Sequence, residues 1–191
     1  MKIPVAHLLP AVGSFAACLL AAGTLLAPAV ALAEEPAAAP LIAGVGEFAA
    51  VENAGEPIDP TLDYKVVMIA TEAGEKDEAA PALERAARLV NLLAASGVPA
   101  DHRHVAIIIY GPATKGVLTE AARTARNLGP NPSAEPIAKL IAAGVSVRVC
   151  GQALAGNKIG RDEVLPGVEV DLSALTTVVN LQLKGYALVP Q

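Results

Sequence analysis

Between Tyr64 and Val189, short apolar runs rich in β-branched residues alternate with longer stretches whose apolar residues recur every three to four positions. Few folds satisfy that alternation, because a strand written as a continuous apolar run is buried on both faces and needs helices on each side. Tyr64-Lys-Val-Val-Met-Ile-Ala70 reads as such a strand, and polar Thr71 to Lys76 as its exit loop. From Ala79 to Ser96 the spacing is helical. Leu83, Ala86, Ala87, Val90, Leu93 and Ala94 share one face and Glu84, Arg85, Arg88 and Asn91 the other. Glu84 and Arg88 form an i,i+4 pair in the favourable order. Pro81 fits the first turn, and Gly97 with Pro99 marks the stop. His104 to Tyr110 is a second strand, and strand, helix, strand is a parallel crossover.

The pattern continues to the end of the chain. Thr114 to Asn127 predicts one or two short helices, broken by Gly129-Pro-Asn-Pro132, and Ser133 is the expected N-cap of a helix from Ala134 to Ala143. Val145 to Val149 is a third strand, and a short helical segment follows through Ala153 to Ala155. Val168 to Val170 is a fourth strand, Asp171 or Ser173 caps a helix to Lys184, and Tyr186 to Val189 is a last strand. The fold expected is α/β: a doubly wound, mostly parallel sheet of about five strands with helices on both faces.

The first 33 residues read differently. Lys2 supplies one positive charge, an Ala/Leu/Val run extends to Ala33, and Ala31-Leu-Ala33 before Glu34 fits the small-x-small cleavage rule. Residues 1–33 are therefore expected to be a secretory signal, giving a periplasmic or secreted protein. The competing reading is an uncleaved anchor, which Pro28 and the Ala-x-Ala site argue against. Phe15-Ala-Ala-Cys18 matches a lipobox only loosely, since the apolar run continues past the cysteine. Residues 34–63, with Pro36, Pro40, Pro57 and Pro60, read as an extended arm packing along a sheet edge or a neighbouring subunit, and residues 64–191 as the α/β domain.

Removing the leader from the 191 residues leaves about 158, one domain of ordinary size, with a net charge near −6 once Lys2 is gone. That balance argues against nucleic acid or anionic lipid as a partner, because both need clustered Lys and Arg. After cleavage no segment is long and apolar enough to span a membrane. Cys150 is then the single cysteine, so no internal disulfide forms, and the thiol is buried, intermolecular or functional.

Cys150 stands where Val145-Ser-Val-Arg-Val-Cys-Gly-Gln152 turns from strand into a Gly-led loop, and open α/β sheets place their chemistry beyond the carboxyl ends of their strands. Strand alternation puts Val145, Val147 and Val149 on one side and Ser146, Arg148 and Cys150 on the other, a polar company that argues against deep burial. A helix opening at Gly151, with Arg148 folding back, would favour thiolate over thiol. The plainer reading is a packed, inert cysteine. Gln152 and Asn157 would either hydrogen-bond a bound sulfur species or satisfy loop carbonyls. His102 and His104 lack the Cys/His company of a metal site and read as a strand entrance. Gly44-Val-Gly-Glu-Phe-Ala49 has the spacing of a dinucleotide loop without its strand and helix. Glu72 and Glu75 would repel a phosphate after the first strand. Neither a P-loop nor a hydrolase elbow is present.

Six pieces in order resemble the secreted branch of the DsrE/DsrF-like family. They are Tyr64-Lys-Val-Val67; Tyr110-Gly-Pro-Ala-Thr114; Ile141-Ala-Ala-Gly-Val145 running into Val149-Cys-Gly-Gln152; Leu165-Pro-Gly-Val168; Leu172-Ser-Ala174; and Gln182-Leu-Lys-Gly-Tyr-Ala187. The resemblance implies a flavodoxin-like sandwich assembled as a homo-oligomer, commonly a trimer or hexamer. It also implies a cysteine that holds sulfur as a persulfide and passes it between donor and acceptor proteins, with no cofactor. Cys150 is the position that matches, with Arg148, Gly151, Gln152 and Asn157 as its sequence neighbours. The alternatives are a non-catalytic oligomeric binding module on the same fold, and a thiol peroxidase or redox sensor, for which a resolving cysteine is missing.

Overall fold

The computed structural model describes residues 39–75 and 78–190, so the leader expected over residues 1–33 lies outside the described residues. Among the described residues no helix is long and apolar enough to cross a membrane. Five strands, β1 (Tyr64–Ala70), β2 (Arg103–Ile109), β3 (Ser146–Cys150), β4 (Glu169–Asp171) and β5 (Ala187–Val189), form one sheet in the order β4-β3-β2-β1-β5. Every pairing is parallel. The helices are α1 (Pro81–Ala95), α2 (Glu120–Ala125), α3 (Ala134–Ala142), α4 (Gly151–Gly156) and α5 (Ala174–Leu183). The architecture is thus the doubly wound α/β sheet that the alternation predicts, with all five strands parallel.

Two cores lie on opposite sides of the sheet. Met68, Ile107, Ile109, Val147 and Val149 meet α1 and α3 through Leu83, Val90, Leu93, Ile137 and Leu140. Val67, Ala106, Ile108 and Cys150 meet α5 through Ala174 and Leu181. The chain steps from β1 through β2 and β3 to β4 with α1, α3 and α4 against the first side; it then returns through α5 on the second side to lay β5 beside β1.

Local details depart from the sequence pattern in two places. Ser133 does not cap α3 with its side chain; its backbone is already helical, and its Oγ accepts a hydrogen bond from the Ala80 N–H at 3.3 Å. A buried hydroxyl here satisfies the backbone at the start of a different helix. Ser173 does cap α5, accepting from Leu175 N–H at 3.3 Å, which leaves Asp171 free for another task.

The second departure is the arm. Residues 41–47 lie across α1 and α3 instead of along a sheet edge, with Ile42 and Val45 in the main core. Asn91, placed by the pattern on the solvated face of α1, is fully buried beneath this strap. Its Oδ1 accepts from Ile42 N–H at 2.7 Å, and its Nδ2 donates to the carbonyls of Ile42, Val45 and Gly46 at 3.1–3.2 Å. Glu84 and Arg88 turn to the strap as well, Glu84 accepting from Gly46 N–H at 2.8 Å and Arg88 donating to Glu47 O at 2.7 Å. Gly44 and Gly46, with φ of 73° and 68°, make the bend that fits the strap to the helices. The dinucleotide-like spacing belongs to this bend.

Candidate functional site

β3 and β4 lie side by side, yet the chain leaves them toward opposite faces. After β3, α4 turns to the main core and inserts Leu154; after β4, α5 turns to the second core and inserts Ala174. Diverging exits open a crevice at the carboxyl ends of neighbouring parallel strands, where open α/β sheets bind ligands. Here it is a cleft of about 280 Å³ walled by Gly151, Gln152 and Ala155 on one side and Val170, Asp171 and Leu172 on the other.

Cys150 is the last residue of β3 and pairs in register with Asp171, the last residue of β4. As the alternation predicts, Val147 and Val149 face the main core while Cys150 faces away from it. The polar company does not keep the thiol shallow. Ser146 and Arg148 are half-buried, but Cys150 is only 6% exposed and packs among Ile108, Ala174, Tyr110, Ala153, Val178 and Tyr186. The reason is position along the strand, since Cys150, as the last residue of β3, joins the second core that α5 closes.

Gly151 follows at once, and its backbone passes so near β4 that a Cβ there would stand 2.5 Å from the Asp171 carbonyl oxygen. Glycine is what lets the two strand exits touch. α4 opens at this residue but has only six residues, a turn and a half, so little helix field accumulates behind the thiol.

Arg148 does not fold back on Cys150. Its Nη1 donates to Asp171 Oδ1 and its Nη2 approaches Glu169 Oε2, both at 2.9 Å, while Nε donates to Ser146 Oγ at 2.9 Å. Two carboxylates therefore hold the cation that the sequence offered to the thiol. Asp171 Oδ2 also accepts from Thr177 Oγ1 at 2.8 Å, which ties α5 to the end of β4 directly above the cleft. Asp171 and Thr177 are site residues that the sequence reading missed. The six-residue spacing between a strand end and a helix interior signals no contact until β4 and α5 are placed.

Gln152 Nε2 donates to Leu172 O at 3.3 Å across the cleft, and Asn157 Nδ2 donates to Ala153 O at 2.7 Å at the end of α4. Each amide thus serves a backbone carbonyl. The loop after α4 is braced by Arg126, at the C-terminal end of α2, which donates to both carboxylate oxygens of Glu163 and, at 3.0 Å, to Lys158 O. The Arg126 guanidinium, helped by the Gly160 N–H, holds the Glu163 carboxyl below its ordinary range. His102 and His104 stay apart from the cleft at the opposite strand ends, where His104 Nε2 lies 2.8 Å from Asp63 Oδ1. Among the described residues no cluster of three or more His, Cys, Asp and Glu is placed to hold a metal ion.

No curated protein matches the chain. Solved structures are similar to it, among them the following two. A protein of unknown function, MTH1491 from Methanobacterium thermoautotrophicum, is 20% identical, with a TM-score of 0.47 over 68% of this chain and all of that one. The ychN protein from E. coli is 16% identical, with a TM-score of 0.49 over 67% of this chain and 99% of that one. The sequence profile of the DsrE/DsrF-like family matches residues 65–190, from the first strand through the cleft to the last. The chain belongs to the DsrE/DsrF-like family.

Proposed function

We propose that this protein binds and transfers sulfur as a persulfide on Cys150. The observation that carries the reading is the place of Cys150: the end of β3, next in the chain to Gly151, which lines the cleft where β3 and β4 diverge, with the thiol itself packed on the second-core side. The Cys150 thiolate attacks the outer sulfur of a donor persulfide, R–S–SH. A Cys150 S–S bond forms, the donor S–S bond breaks, and R–SH leaves; an acceptor thiolate then takes the outer sulfur and Cys150 thiolate departs. Sulfur changes carrier with no net oxidation, so no cofactor takes part. With the thiol only 6% exposed, a donor reaches it after Ala174 and Val178 of α5 shift.

The reading includes export, on the pattern of residues 1–33, and a homo-oligomer of trimer or hexamer size. Assembly is supported by an exposed apolar stripe on α5, where Leu175 and Leu183 are 79% and 82% exposed and continue Leu172 and Val179. The test is intact mass and peptide mapping after incubation with polysulfide, with a Cys150→Ser control. Reductant-labile sulfur on the Cys150 peptide, absent in the control, supports transfer; an unmodified Cys150 beside a modified test thiol refutes it.

The burial of Cys150 favours a second reading, a non-catalytic oligomeric binding module in which the cysteine only packs. The two part on alkylation of the folded protein. A carrier reacts through opening of α5 under native conditions, whereas a packing cysteine is protected until global unfolding.

A further inference from the structure

The strap over α1 and α3 is held almost wholly by its main chain. Asn91 takes the N–H and C=O of Ile42 and the carbonyls of Val45 and Gly46. Glu84 takes Gly46 N–H, Arg88 takes Glu47 O, and Lys139 of α3 donates to Ala43 O at 2.9 Å. Two side chains are anchored, Ile42 and Val45, at 3% and 4% exposure, while Leu41, Ala43, Gly44 and Glu47 between and around them are exposed. Backbone hydrogen bonds for affinity with side-chain pockets for selection is how proteins bind peptide segments, and here the segment is a turn bent at Gly44 and Gly46.

The strap is also separable in sequence. It lies outside the 65–190 family region, and residues 48–63, mostly exposed and without helix or strand, join it to β1. We propose that the α1–α3 face is a peptide-docking groove whose resident ligand is this chain's own 41–47 segment, and which takes the same segment from a second copy when its own is released. The motif it reads is Ile-x-Gly-Val-Gly, since Gly44 holds a φ of 73° that side chains rarely adopt. The second glycine is obligatory, because a Cβ on Gly46 would stand 2.2 Å from Arg88 N, a backbone atom of α1 that cannot yield. A tether of this length gives a millimolar effective concentration, so the resident segment outcompetes free peptide until it is weakened.

The full chain carrying Gly46→Ala empties the groove without altering it, and a fluorescein-labelled peptide of residues 40–47 is the probe. Fluorescence anisotropy is expected to show saturable binding to Gly46→Ala at least tenfold tighter than to wild type. Adding Asn91→Ala is expected to weaken that binding at least tenfold, and a peptide with Gly46→Ala is expected not to bind. A folded Gly46→Ala protein, by circular dichroism and cooperative urea unfolding, that ignores the peptide overturns the proposal. Equal binding by the Asn91→Ala double variant does so too. Failure of Gly46→Ala to fold shows that the strap cannot be separated from the core, and that also overturns it.

Discussion

Asn91→Ala tests how the domain responds when its one fully buried amide is removed. If the strap stayed docked, one N–H and three carbonyls would lose their partner, two of them on buried Ile42 and others on Val45 and Gly46. An unsatisfied buried polar group costs about 1–3 kcal/mol, so four of them cost on the order of 4–12 kcal/mol. Undocking instead exposes Ile42 and Val45, at roughly 1.5–3 kcal/mol each, an upper value because the unfolded chain already buries part of this surface. The freed backbone regains conformational entropy, which offsets part of that loss. Undocking is the cheaper outcome, and the predicted destabilisation is about 2–4 kcal/mol, with the sheet intact. Urea unfolding measures the loss, and amide exchange locates it. The Ile42 and Gly46 amides, bonded to Asn91 and Glu84, should exchange at solvent rates while those of β1 and β2 stay protected. A variant that loses under about 0.5 kcal/mol, the scale of an ordinary surface substitution, and keeps the Ile42 amide protected would refute the reasoning.

Gly151→Ala forces the exits of β3 and β4 apart at a backbone contact, so a loss of about 1–3 kcal/mol in urea unfolding is expected, together with faster alkylation of Cys150. An unchanged alkylation rate would show that loosening the strand exits does not help α5 to open. The lowered Glu163 carboxyl contributes stability that is complete above its unfolded value of about 4.5 and is lost as pH falls through the folded value. Wild type should therefore lose Tm more steeply than Glu163→Gln between about pH 5 and about pH 3, and parallel curves would remove the Arg126 brace from the account. Replacing Leu175 and Leu183 together by Glu places charges on the exposed stripe of α5; sedimentation should then report a smaller species at unchanged fold, and an unchanged mass would place any assembly elsewhere.

The strands were readable because a parallel strand buried on both faces leaves a continuous β-branched run, as Lys65 to Ala70 and Val105 to Ile109 do. The side on which Cys150 lies was readable from strand alternation alone, but its depth was not, since that depends on where α5 crosses. Asn91 misled for a physical reason. A polar residue on the outer face of an amphipathic helix is solvated unless something covers it, and here the cover is main chain more than forty residues upstream, whose atoms no residue pattern records. Arg148 misled similarly: the alternation shows which face it shares, while the carboxylates that hold it come from a strand of three residues.

Placing β5 beside β1 has a consequence for the order in which the molecule is made. Val66 aligns with Ala187, so the first strand of the sheet waits for residues about 120 positions further on, a closure among the most distant the domain contains. The main core can assemble from β1 through β4 with α1 and α3 before that happens. Val67, Ala106, Ile108 and Cys150 stay uncovered until α5 arrives. During synthesis or refolding the sulfur atom is thus open to small reagents for an interval that ends when α5 docks, and oxidants present in that interval compete with folding for it.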